Sequence, residues 1–101
     1  MTGLEQIAKE RADQSETGMD SEDDKWVNGE LAFAAIAYVL WKRSTYQISM
    51  FWPWRDDKWN PSKDHCDNLA KAGALLAAEI DRLNRIREKD HRAKIHEGVQ
   101  Q

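Results

Sequence analysis

The sequence predicts an all-α fold, a three-helix domain with a long aromatic loop between its second and third helices, and three observations lead there. Thr2 with Glu5 and Ser21 with Asp24 are capping boxes, each followed by apolar residues at helical spacing. After Pro61, an apolar stripe of Leu69, Ala72, Leu76, Ile80 and Leu83 recurs at steps of three and four. Between these segments, "MFWPWRDDKWNP" at residues 50–61 holds three of the five tryptophans and both prolines, a composition that no helix interior accepts.

The first helix is expected over residues 3–16, with Leu4, Ile7, Ala8 and Arg11 in register and Gly18 as its stop. The second box opens a central helix over residues 22–43, through "KWVNGELAFAAIAYVLWKR". Its middle is apolar on every face, so neighbours must surround it, and in so short a chain this implies a second subunit and a homodimer. The C-terminal helix is expected over residues 63–96, with Ser62 as N-cap and Asp64 near the positive end of the helix dipole. Its stripe, widened by Leu75 and Ile86, is expected to face the central helix, and the small residues Ala72, Gly73, Ala74, Ala77 and Ala78 allow close approach. Residues 44–61 form the loop, in which "STYQISM" alternates as a short extended segment with Tyr46, Ile48 and Met50 on one side. The whole of residues 1–101 reads as one α-helical domain.

Composition narrows the function classes. The single cysteine, Cys66, forms no intrachain disulfide and nothing resembles a secretory signal, which fits a reducing cytoplasm, that of a host cell if the chain is phage-encoded. The longest apolar run, Leu31 to Trp41, is about half of the roughly 20 residues that span a bilayer, so no membrane partner is expected. The net charge of −3 is uneven: residues 1–30 carry nine acids against three bases, whereas Arg82 to Lys94 is basic. Double-stranded DNA is not an expected partner, because a duplex binder carries a larger basic excess.

At "NGELAFAAIAY", "WPWRDDKWNP" and "NLAKAGALLAAEIDRLNR" the chain resembles a largely uncharacterised group of small proteins encoded by phages and prophages, whose pattern is GELA, WPW, a Trp and Pro, then KAGAL with AEI and RL. The likeness spans Gly29 to Arg85 in the same order. It implies a phage context and an α-helical fold, and no reaction. Ahead of the paired aspartates that group often carries a Gly-Trp and a histidine, where this chain has Gly18, Met19 and Glu22 before Asp23 and Asp24.

Among candidate site residues, Glu79 falls inside the apolar face of the C-terminal helix, between Leu75, Leu76, Leu83 and Ile86, and there it needs a partner. Glu30 lies similarly beside Val27, Ala34 and Trp41. Indole N–H groups, loop amides or an arginine such as Arg55 would satisfy both. Convergence of the two acids would instead suggest an all-α nucleotide pyrophosphatase of the MazG type with magnesium, although neither acid has a second at i+3. Magnesium belongs to that alternative alone, and no cofactor is expected otherwise. No pair of histidines, and no histidine with Cys66, shares a zinc-binding face.

In the loop, Pro53 sends the rings of Trp52 and Trp54 in different directions, and Arg55 and Lys58 place cations beside them, suited to phosphate or carboxylate. Trp59 and Trp52 are expected to pack inward, with Trp54 as the contact. The expected function is that of a non-enzymatic binding protein, a phage-type counter-defence inhibitor of a host protein complex or a sponge for a nucleotide signal. A sponge would use Trp52, Trp54 or Trp59 with Arg55, and a blocker the acidic segment from Asp13 to Asp24. A purely structural interaction module is the remaining alternative.

Overall fold

Thr2 and Glu5 form a reciprocal cap: the Thr2 amide donates to the Glu5 carboxylate at 3.2 Å, and the Glu5 amide donates to the Thr2 hydroxyl at 3.2 Å. They open α1, Gly3–Glu16. The computed structural model describes residues 1–16 and 23–99, and the regular elements among them are all helical. After α1 come α2 (Glu30–Val39), α3 (Thr45–Phe51), one 3₁₀ turn (Asp56–Lys58) and α4 (His65–Val99).

The central helix is shorter than the sequence predicts. Its expected cap, Ser21, lies outside the described residues; α2 begins only at Glu30, after Gly29 at φ 82°. That left-handed turn is open to glycine at little cost. It is closed by the Asn28 amide donating to the Glu30 carboxylate at 2.6 Å and the Phe33 amide donating to the Gly29 carbonyl at 2.9 Å. The helix ends at Val39 rather than residue 43, because the chain reverses at Lys42, whose φ is 65°. A lysine in that region costs roughly 1–2 kcal/mol, and its ammonium lies over the Trp41 ring at 4.5 Å.

A second correction falls in the loop. The alternation of "STYQISM" predicts an extended segment, but Ser44 accepts a hydrogen bond from the Gln47 amide at 3.3 Å and caps a short helix, α3. Seven residues satisfy either period, and the cap decides. Pro53 keeps Trp52 extended and ends α3 there. Phe51 stacks on Phe33 at 6.3 Å and holds α3 against α2. Among the described residues the fold thus has four α-helices of seven residues or more.

The cap of α4 is Asp64, not Ser62: the Asp64 carboxylate accepts from the Cys66 amide at 2.9 Å, and its carbonyl accepts from the Asp67 amide at 3.0 Å. Ser62 braces the turn, donating to the Asp67 carboxylate at 3.0 Å. The face that α4 buries is rotated from the expected one. Ala72, Leu75 and Ala78 join Leu31, Ala34, Ala35 and Tyr38 of α2 in the core. Leu69, Leu76, Ile80 and Leu83 remain 45, 47, 57 and 41 % exposed. The small residues explain the rotation, since backbones approach most closely where side chains are shortest, and the alanine face is where α2 lands. On α1, Ile7 fills the space over Gly73, where a Cβ would lie 2.7 Å from two of its carbons. Arg11 pairs with Asp81 at 3.0 Å and Arg85 with Asp24 at 2.9 Å, tying α1 and the segment before α2 to α4. Nor is α2 surrounded: Phe33, Ile36 and Val39 stay exposed.

Candidate functional site: an aromatic cleft with a cationic rim

The Trp-rich loop is fixed along its length. The Trp52 indole donates from Nε1 to the Arg55 carbonyl at 3.0 Å, closing the chain around Pro53. The 3₁₀ turn follows, with the Trp59 amide donating to the Asp56 carbonyl at 3.1 Å. At the loop's end, fully buried Asn68 accepts from the Ser62 amide at 2.7 Å and donates to the Ser62 carbonyl at 2.9 Å. Lys71 donates to the Asn60 carbonyl at 2.8 Å.

Held in this way, the rings form a continuous aromatic layer over the α2–α4 core. Trp54 packs on Trp26 at 5.2 Å and meets Trp52 edge-on at 5.3 Å and 90°. Trp52 meets Trp59 at 4.9 Å and Tyr38 at 5.6 Å, and Tyr38 lies against Trp59 at 4.7 Å. These separations are those at which aromatic pairs attract, adding about 0.5–1.5 kcal/mol each beyond burial.

On its outer side the layer floors a cleft of about 900 Å³. Trp26, Tyr38, Trp52, Pro53, Trp54 and Leu75 supply its apolar surface, and Lys25, Arg55, Lys58 and Lys71 its cations. Glu10 and Gln14 of α1 complete the lining among the described residues. Among the described lining residues four cations stand against the Glu10 carboxylate, with Asp57 beside Arg55 outside the lining, so the rim keeps a positive excess that favours an anion, and its floor favours flat apolar surface. Lys25 lies over the Trp26 ring at 4.8 Å and Lys71 over Tyr38 at 5.7 Å. Burial pushes the Tyr38 phenol above its ordinary value, with Glu10 acting the same way and the Asn60 backbone opposing them. Tyr38 is therefore a neutral hydroxyl at physiological pH. The Trp54 Nε1–H is buried without a hydrogen-bond partner, an unsatisfied donor that costs about 1–3 kcal/mol.

Of the residues singled out from sequence, Trp52, Trp54 and Arg55 line this cleft together. Trp59 stands behind them as packing, against Tyr38 and Trp52. Glu30 and Glu79 lie outside its lining, and each has a local partner. Glu30 holds the Asn28 amide, while Glu79 accepts from Arg82 Nε at 2.5 Å within one turn of α4. Arg55 pairs with neither; its exposed guanidinium faces Asp57 at 3.5 Å. Among the described residues no group of three or more His, Cys, Asp or Glu side chains is placed to hold a metal ion, and no helix is long and apolar enough to cross a membrane. Trp26, Tyr38, Lys25, Lys71 and Glu10 escape the sequence reading, because they come from α1, α2, α4 and the segment before α2 and share no local pattern. Compared with known proteins, the chain matches no family model, no characterised protein and no solved structure.

Proposed function

We propose that this protein binds and sequesters a nucleotide without turning it over, the bases lying on the indole and phenol surfaces of the cleft and the phosphates meeting Lys25, Arg55, Lys58 and Lys71. The observation that carries this is the coincidence, in one cleft, of an aromatic floor and a rim of four cations, against which the described residues set Glu10 in the lining and Asp57 beside Arg55. Base stacking on such surfaces contributes about 1–3 kcal/mol per base. A volume of about 900 Å³ lies at the upper end of small-molecule sites, which favours a ligand with two bases, a linear or cyclic dinucleotide, over a mononucleotide. The resemblance to phage-encoded proteins suggests the setting, a counter-defence protein that removes a nucleotide signal from the host cytoplasm. The blocker of a host complex rests on the acidic segment from Asp13 to Asp24, half of which lies outside the described residues; of the rest, Asp23 is buried and Asp24 pairs with Arg85. In a magnesium-dependent pyrophosphatase Glu30 and Glu79 would be metal ligands, but each has a local partner.

Thermal shift and calorimetry with mononucleotides, linear dinucleotides and cyclic dinucleotides, with and without magnesium, test the proposal. The expected result is binding of a dinucleotide that weakens as salt rises, needs no magnesium and returns the ligand intact on denaturation. A ligand confined to the folded state at 100 times its Kd stabilises by about 2.7 kcal/mol. No nucleotide binding at millimolar concentration would refute it. Hydrolysis abolished by Glu79→Gln would establish the pyrophosphatase instead.

A further inference from the structure

We propose that the exposed apolar stripe of α4 is the contact surface for a second copy of this chain, packed antiparallel about a two-fold axis beside Leu76. The proposal is independent of what the cleft binds. Leu69, Leu76 and Leu83 recur every seven residues, with Ile80 between the last two, which is the seam of paired helices. All four are 41–57 % exposed, although α4 buries its alanines on the next face. Residues 87–94, farther along α4, are exposed throughout, and a helix of that kind draws little stability from its own propensity.

The exposed surface suits a helix pair. Leu69, Leu76, Ile80 and Leu83 are 41–57 % exposed along one line of α4, and Ile36 and Val39 of α2 are also open, at 39 and 46 %. A standard interface buries about 800 Å² per partner, and in homodimers about 65 % of it is apolar; the stripe would form the apolar centre of such an interface.

Charge and shape choose the orientation. Residues 82–94 carry six Lys or Arg against two acids, whereas residues 56–67 carry four Asp against two Lys. A parallel pair sets two basic segments side by side and puts Arg87 against its own copy. An antiparallel pair brings each basic segment toward the acidic start of the partner's helix. With the axis at Leu76, Leu69 faces the second copy's Leu83 and each Leu76 meets its own copy, so the exposed leucines of the two stripes pair in register.

Sedimentation equilibrium should show a dimer at micromolar concentration. Leu76→Asp should weaken it by more than about 100-fold, because the axis places the two new charges together. Its helical circular dichroism should persist, since Leu76 is half exposed in the single chain. In a Cys66→Ser background, copies carrying Leu69→Cys mixed with copies carrying Leu83→Cys should form a mixed disulfide under mild oxidation, whereas Leu69→Cys alone should form none. This pair leaves the stripe apolar and decides the matter even if Leu76→Asp fails to fold. A monomer throughout the concentration range, a dimer indifferent to Leu76→Asp, or Leu69→Cys linking to itself would overturn the proposal.

Discussion

Replacing Gly73 by alanine sets two opposed effects against each other, and the structure gives the sign. In a helix interior, alanine is favoured over glycine by about 0.8–1.0 kcal/mol, so with open space above it the variant would be more stable than the parent. The space is not open: the added Cβ would meet Ile7 Cδ1 and Cγ1 at 2.7 Å and Cγ2 at 3.3 Å. The far methyl could swing away, but Cγ1 is attached to a β-branched carbon with one strongly preferred rotamer in a helix. Relief then needs an off-rotamer Ile7, at about 0.5–1.5 kcal/mol, or a shift of α1 as a whole. Overpacking of this kind costs about 1–3 kcal/mol, so the net effect is a loss of up to about 2 kcal/mol. At about 4–8 °C per kcal/mol for a chain of this size, the melting temperature falls by up to roughly 15 °C. Because α1 carries Glu10 and Gln14 to the cleft, its displacement should also weaken ligand binding. The assay is urea denaturation of a double-mutant cycle with Ile7→Ala. Ile7→Ala should destabilise the parent but relieve Gly73→Ala, giving a coupling of at least about 1 kcal/mol. A Gly73→Ala variant stabilised by its full helix propensity, with additive effects in the cycle, would show that α1 does not pack on α4 at this point.

Trp54→Phe should leave stability within about 1 kcal/mol, since a phenyl ring still packs on Trp26 and the lost indole volume is offset by removal of an unsatisfied buried donor, while lowering ligand affinity in calorimetry. Trp59→Ala should instead cost several kcal/mol, about 3–5 for a buried aromatic, because it supports Tyr38 and Trp52 without lining the cleft. Arg82→Met strands the Glu79 carboxylate at a site where both side chains are more than four-fifths buried. It should cost about 3–5 kcal/mol in denaturant titration, and Arg82→Met with Glu79→Gln should recover most of that; no recovery would mean that the pair does not act as one unit. For Tyr38, burial raises the phenol's folded value, so the folded state holds the proton more tightly than the unfolded chain. Its contribution is present below the ordinary phenol value near 10 and is lost as pH rises through the folded value. Tyr38→Phe should flatten the fall in melting temperature above that pH, and an unchanged alkaline limb would show that another group governs it.

What could be read from the chain follows from how local each signal is. The Thr2–Glu5 cap is complete within four residues and forms as written. The break at Gly29 was hidden by its surroundings: a single glycine in a strongly apolar helical pattern is usually tolerated, and only the Glu30 carboxylate turning back to the Asn28 amide marks a helix start. The spacing of Leu69, Leu76 and Leu83 identifies a face of α4 but not the neighbour that covers it. A stripe beside a row of alanines offers two docking faces, and close approach along the alanines won. The cleft shows the same division. Trp52, Trp54 and Arg55 stand out because indoles and prolines crowd a polar stretch, which is an anomaly of local composition. Tyr38 and Lys71 come from helices in which an aromatic and a lysine are ordinary, and they join the site only when α4 brings Lys71 to the Asn60 carbonyl and α2 sets Tyr38 beneath Trp52. The loop's tryptophans therefore mark where the site lies, and the cations that would select its ligand are supplied partly by the scaffold.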